Sequence, residues 1–386
     1  MLQTASSAHE DAIAQAARTR LPALDWMRGA VMILMSIDHA SGAFNAGRIF
    51  ADSASMYHRG MALPAAQFLT RWLTHLCAPT FVFLAGAAVA LSVERRLEAG
   101  DAPRSVDRYL LQRGLLIAAL DPLWMSWGFT QGKFVVLQVL YAIGTSLMLM
   151  AALRRLSLGW LVGLALGLMF GGEALTGPAL RALGVSKPPL ALALCLSGGR
   201  FPGLVVAYPT LPWLAIMLLG WAFGRHLAFG RPSAPHRQLA WSGLASLAVF
   251  AVVRAGNAYG NMLLLRDDGS VVQWLHVSKY PPGLSYYGLE LGIMALTLSG
   301  FFLLARGRAA FPGSRVLAAL GQTAFLYYLL HVHLLEGAAH VLGVNGKLGL
   351  GSAYLGAAAI LVVLYPACVR YRTYKRAHPD GWTRYL

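Results

Sequence analysis

Runs of about twenty apolar residues recur along the chain from Leu24 to Val369. At 1.5 Å per residue each is long enough to cross a hydrocarbon layer of roughly 30 Å. With 57% hydrophobic and only 12% charged residues among 386, the chain is too apolar for a soluble protein of its length. The pattern predicts an all-α fold, a polytopic transmembrane helix bundle. Ten spans, or eleven, are expected, over about 24-44, 65-93, 108-128, 134-153, 156-175, 205-224, 238-255, 281-305, 316-335 and 350-369.

When the connecting segments are assigned to alternate sides, 21 of the 32 basic residues fall on the side that holds both chain ends. The positive-inside bias therefore places both termini in the cytoplasm. Residues 1-19 lack the basic start and apolar core of a signal peptide and read as a cytoplasmic leader. A transmembrane domain over 20-369 and a basic tail over 370-386 complete the organisation. The net charge of +16 is dealt out among short connecting segments and not gathered on one face. It reads as a topology signal, with no nucleic-acid partner expected. Cys77, Cys195 and Cys368 lie far apart and without CxxC spacing, which indicates neither a disulfide framework nor a thiolate metal site.

Ionisable residues interrupt the spans at similar depths. His39 lies about 22 Å inside the first helix, and Arg71 and His75 share one face of the second. Asp121, Glu290 and His331 fall between mid-membrane and the external surface of three others. Buried charge in a bilayer normally faces a bundle interior or a wet cavity. The common depth thus points to one polar chamber, with Asp38, His39, Arg71, His75, Asp121, Glu290 and His331 as its candidate lining. A simpler account stays open at two points: Arg71 would pair with Asp38, and Asp121 would satisfy backbone groups at the Asp121-Pro122 break. Carboxylate and imidazole are also zinc ligands, but no HExxH or comparable spacing occurs, and no metal is expected.

Several strings resemble the membrane acyltransferases related to heparan-α-glucosaminide N-acetyltransferase, in an uncharacterised bacterial branch. RLPALDWMRGAVMILMSIDHA is similar to that family's opening block, and FLTRWLTHLCAPTFVFLAGAAVALS to its second helix. YPTLPWLAIMLLGWAFGR, SKYPPGLSYYGLELG and GQTAFLYYLLHVHLL resemble later blocks in the same order. The resemblance implies transfer of an acetyl or other acyl group from cytosolic acetyl-CoA to an acceptor across the membrane, an amino sugar or envelope glycan. It also implies a bacterial inner-membrane location. In the animal enzyme a histidine on the external side between the first two helices is implicated. Here His39 stands where that enzyme has asparagine, His58 lies in the equivalent loop, and His75 replaces an acid four residues before the shared proline.

Attack on a thioester needs a general base with a pKa near neutrality, and histidine fits best. The candidate catalytic residues are His39, His75, Asp38 and His58. The acceptor or thioester would meet Arg71, His331, Lys279, Asp121 and Glu290. Coenzyme A phosphates would meet Arg28, Arg113, Arg154 and Arg155 at the inner edge. No glycine-rich phosphate loop is legible. A proton-coupled secondary transporter using the same buried acids and histidines as a relay is the alternative. The acceptor, the acyl chain length and a possible homodimer stay open.

Overall fold

The computed structural model describes residues 21-182, 188-230, 234-307 and 311-378; the 1-19 leader and the end of the tail lie outside the described residues. The chain is mostly helical. In order come α1 (Pro22–Phe44), α2 (Ala65–Thr74), α3 (Cys77–Glu98), α4 (Pro103–Leu120), α5 (Ser126–Thr130), β1 (Val135–Leu137), α6 (Val139–Leu153) and α7 (Leu158–Ala182). Then follow β2 (Gly199–Phe201), β3 (Leu204–Val206), α8 (Thr210–Gly230), α9 (Pro235–Gly256), α10 (Val271–Leu275), α11 (Leu284–Arg306), α12 (Ser314–Gln322), α13 (Ala324–Val341) and α14 (Leu350–Ala377).

Among the described residues, six helices are long and apolar enough to cross a membrane, or seven if α12 and α13 are one bent span. The others depart from simple rods for local reasons. The expected 108-128 helix ends at Leu120 and continues through a wide turn, Asp121–Met125, into α5. Pro122 there has no amide proton and its ring crowds the preceding turn. The expected 134-153 helix begins instead as β1, leaving α6 only 15 residues. The expected 316-335 helix breaks at Thr323, where α12 and α13 meet at 86°. The last helix continues to Ala377, through the first half of the basic tail.

An all-α chain was expected, but β1, β2 and β3 form a small sheet in the order β1-β3-β2. Val135, Val136, Val205 and Val206 are β-branched residues at the turns before α6 and α8, where an extended conformation suits them. The sheet marks one end of the bundle, and α12, across the start of α1, marks the other.

α1 is the central helix. It packs against α3, α11, α12, α13 and α14, and Met27, Val31, Met32 and Ala40 are fully enclosed. The Leu158–Gly177 and Pro235–Gly256 helices are only 22% and 17% buried, which puts them on the outside, where exposed Trp160, Trp241 and Val252 face the surroundings. Between apolar helices in lipid there is little hydrophobic drive, so close packing and small residues decide which pairs form. Glycines mark those pairs. Gly220 and Gly224 of α8 lie against the Phe83 and Ala87 carbonyls of α3, Gly114 of α4 faces Gly144 of α6, and Gly29 of α1 meets Leu317 of α12.

A Cβ at Gly220 would sit 2.0 Å from the Phe83 carbonyl oxygen, whereas at Gly163 it would meet nothing within 4 Å. Gly220→Ala is therefore expected to lower thermal stability in detergent by about 1–3 kcal/mol, the usual cost of overpacking. Gly163→Ala is expected to leave it unchanged; equal melting of the two variants would show that this approach does not govern α3–α8 packing.

Candidate functional site

The polar centre is built from the α1 residues Asp38 and His39, which point to different neighbours. Asp38 faces α2 and the loop before it. Its Oδ1 accepts from Arg71 Nη1 (2.6 Å), Arg48 Nη2 (2.9 Å) and Thr74 Oγ1 (3.1 Å). A second Arg48 nitrogen donates to the Asp38 carbonyl. With Oδ1 fully engaged, Oδ2 is turned toward His39 Nε2, 3.9 Å away.

Arg71 carries the network further. Its Nε and Nη2 reach Asp52 Oδ2 at 2.9 and 2.5 Å, and Nη2 lies 3.4 Å from the Tyr280 hydroxyl. Asp52 Oδ1 is 3.2 Å from His75 Nε2, in an orientation bent away from a hydrogen bond, and His75 Nδ1 has no partner among the described residues. The Lys279 amide donates to the Asp52 carbonyl at 2.8 Å. Burial opposes charge on the Asp52 carboxyl, but Arg71 and His75 outweigh it and hold its pKa well below the usual carboxylate range.

A second buried arginine shapes this loop. Arg254, 0% exposed at the end of α9, donates to the carbonyls of Leu264, Gln273, Trp274 and His276 and to Asn261 Oδ1. His276 Nε2 in turn donates to the Ala51 carbonyl at 2.7 Å, beside Asp52. The 257-283 connection is thereby fastened to the loop that presents Asp52.

On the other face of α1, His39 Nδ1 lies 2.6 Å from His331 Nε2 of α13, with the two rings stacked. His331 Nδ1 is 2.9 Å from the carbonyls of Tyr327 and Tyr328. Carbonyls only accept, so the His331 proton is on Nδ1 and its Nε2 must accept from His39 Nδ1–H. That chain of bonds leaves a lone pair on His39 Nε2, facing the free oxygen of Asp38. The arrangement can take up a proton at Nε2 and stabilise the resulting charge; unlike a histidine–aspartate couple, the tautomer is fixed by His331 and the carboxylate faces the basic nitrogen.

Toward the α12 end lies a cavity of about 250 Å³. Arg28, Arg113, Gln322, Tyr371 and Lys375 line its polar part, and Phe81, Val89, Ile117, Leu140 and Phe325 its apolar part. Tyr328 also lines it, and its ring lies 5.7 Å from that of His331. The break between α12 and α13 places the first residues of α13, Ala324, Phe325 and Leu326, in the lining of the same space, and helix starts favour anions.

The candidate residues thus divide. Asp38, His39, Arg71, His75 and His331 come together, and Arg28 and Arg113 share the cavity. Arg154 and Arg155 instead both grip Asp107, outside it. Lys279 is 3% exposed, with Nζ over the rings of Tyr208 and Tyr280. Asp121 Oδ2 accepts from the amides of Gln138 and Tyr141 at 2.7 Å each, holding the start of α6. Glu290 is buried with Oε1 unpartnered among the described residues, within electrostatic reach of Lys279. His58 is exposed on the α1–α2 loop. Among the described residues no group of His, Cys, Asp and Glu is placed to hold a metal. Asp52, Arg48, Tyr280 and Arg254 were not singled out from the sequence; the first three lie in loops, where polar residues carry no signal.

A helical membrane protein with a buried charged centre is the class that fold and site define. Residues 20–255 match the family model described as heparan-alpha-glucosaminide N-acetyltransferase, catalytic, and the chain belongs to that family. The match ends at α9, so His331 lies beyond it. No curated protein matches the chain.

Arg71→Met is expected to destabilise the protein by about 3–5 kcal/mol, because it strands two buried carboxylates. Thermal unfolding in detergent measures this, and a wild-type midpoint would mean the network carries little. The Asp52 pKa is lower folded than unfolded, so its contribution is full above about pH 4 and is lost as pH falls further. Asp52→Asn should accordingly flatten the acid side of the stability profile.

Proposed function

We propose that the chain is an acetyltransferase that takes an acetyl group from acetyl-CoA at the α12 end and passes it to an amine or hydroxyl acceptor at the sheet end. Family membership supports the reaction class. The observation that carries the rest is Tyr328, which lines the cavity shared by Arg28, Arg113 and Lys375 and whose ring lies 5.7 Å from that of His331, the partner of His39.

In this reading the phosphates of the donor meet those cations and the start of α13, and the thioester arm runs along the apolar wall to Tyr328. The acceptor nitrogen or oxygen attacks the carbonyl carbon, His39 Nε2 takes the acceptor's proton, and the carbon–sulfur bond breaks as the imidazolium returns that proton to the leaving sulfur, releasing coenzyme A as its thiol. His331 keeps the His39 lone pair facing the reaction, and Asp38 stabilises the imidazolium. Arg71 holds Asp38 and Asp52 together and so links the reacting histidine to the acceptor side.

The bias of basic residues toward the α12 end supports placing that end, and both termini, in the cytoplasm. Ten passes follow if α1, α4 with its wide turn, and α6 cross with the apolar helices. A bacterial inner membrane and an amino-sugar or envelope-glycan acceptor complete the proposal.

Calorimetry of the detergent-purified protein tests the donor side, and radiolabelled acetyl transfer in membranes tests the chemistry. Wild type and His39→Gln are expected to bind acetyl-CoA equally, while His39→Gln loses about 10²–10⁴-fold in transfer rate, the span of a general base. Arg28→Gln with Arg113→Gln is expected to weaken donor binding. A folded wild-type protein that binds no acyl-CoA would sink the assignment.

A further inference from the structure

A groove between the end of α3 and the start of α4 lies outside the site above. It encloses about 560 Å³ and is lined by Ser92, Arg96, Arg104, Ser105, Arg108 and Gln112, with Tyr109 among them. Three arginines and no carboxylate line it; Arg96 Nε holds Asp101 at 2.6 Å. Among the described residues Arg104 and Arg108 form no ion pair and no side-chain hydrogen bond, so the groove carries uncompensated positive charge. Arg96 lies over the Tyr109 ring at 4.6 Å, and the Tyr109 hydroxyl accepts from Arg113 at 2.6 Å, which makes the floor rigid.

The flank of the groove names the partner. α4 packs on α6 through Gly114, and Val106, Leu110 and Ile117 are buried on that side. The opposite face runs Arg104, Arg108, Leu111, Leu115, at spacings that keep one side of a helix. Leu111 and Leu115 are 47% and 62% exposed. Cations at the helix start, followed over about 16 Å by bare leucines, present a phosphate seat above a strip suited to an acyl chain. Water would not favour the leucines, and a free nucleotide would not use them.

We infer that this groove is a binding site for an anionic phospholipid of the leaflet at the α12 end, with the lipid phosphate between Arg104 and Arg108 and a chain along Leu111 and Leu115. Basic residues near a membrane surface attract anionic headgroups, and the guanidinium fork matches a phosphate. The inference is independent of the acyl-transfer chemistry.

The test is native mass spectrometry of the full chain in mild detergent, titrated with phosphatidylglycerol or phosphatidylcholine. Melting temperature is followed in parallel. Wild type should hold phosphatidylglycerol selectively and melt higher with it. The Arg104→Gln, Arg108→Gln double variant should melt as wild type in phosphatidylcholine but bind phosphatidylglycerol roughly thirtyfold more weakly. Arg370→Gln, on α14, should bind as wild type. Equal retention of both lipids, or equal binding by the double variant, would overturn the site and leave these arginines as interfacial anchors. Displacement of the lipid by coenzyme A or inorganic phosphate would also overturn it, by showing a nucleotide or free-phosphate seat.

Discussion

Arg71 is the interaction on which the centre depends. It is 8% exposed and holds two carboxylates that come from different parts of the chain, Asp38 of α1 and Asp52 of the following loop. Removing three charges from water is unfavourable, and their mutual attraction offsets that only where geometry is close and remaining lone pairs are filled. Here Thr74 and Arg48 fill those of Asp38, and His75 lies 3.2 Å from the second oxygen of Asp52. The loop between α1 and α2 therefore has one low-energy position, folded inward over the end of α1. Arg254 and His276 fasten the 257-283 connection against it, so Tyr280 and Lys279 are placed by the same constraint.

The second consequence concerns Asp38. Because three donors converge on Oδ1, Oδ2 is the oxygen left for His39. An oxygen left unbonded can come close to an imidazolium, and Arg71 together with Arg48 offsets the cost of keeping Asp38 buried. The arginine thus sets the electrostatics of a histidine it does not touch. His331 sets the tautomer from the opposite side by a wholly different means, its fixed donation to two backbone carbonyls.

Much of this was legible in the sequence, for one physical reason. An ionisable residue in an apolar helix is expensive, so Asp38, His39, Arg71, His75 and His331 stood out, and the structure brings these five together. The same logic does not separate a cluster from a cap. Asp121 is equally buried, but its carboxylate holds the amides that open α6. Nor does it reach loops, where an acid such as Asp52 looks like ordinary solvated sequence until the fold buries it. Lys279 reads as a rim residue from its place between two spans, yet the loop returns inward and encloses it. The helical breaks escaped for a related reason: periodicity sees apolar content, not continuity, so Thr323 was read through.

That break has a function-bearing geometry. A straight helix over 314-341 would carry its hydrogen-bond ladder unbroken past the cavity. Turning by 86° at Thr323 lays α12 across the start of α1, where Gly321 meets the Asp25 carbonyl and Gln322 donates to the Asp25 carboxylate. α13 then starts afresh at the cavity, where its first residues Ala324, Phe325 and Leu326 share the lining with Arg28 and Arg113, and its Tyr328 brings a ring within 5.7 Å of that of His331. One helix therefore carries both the residues that open on the electropositive cavity and the histidine that fixes the tautomer of His39. Distance between the two is set by the rise of a single helical element, which no loop motion can change.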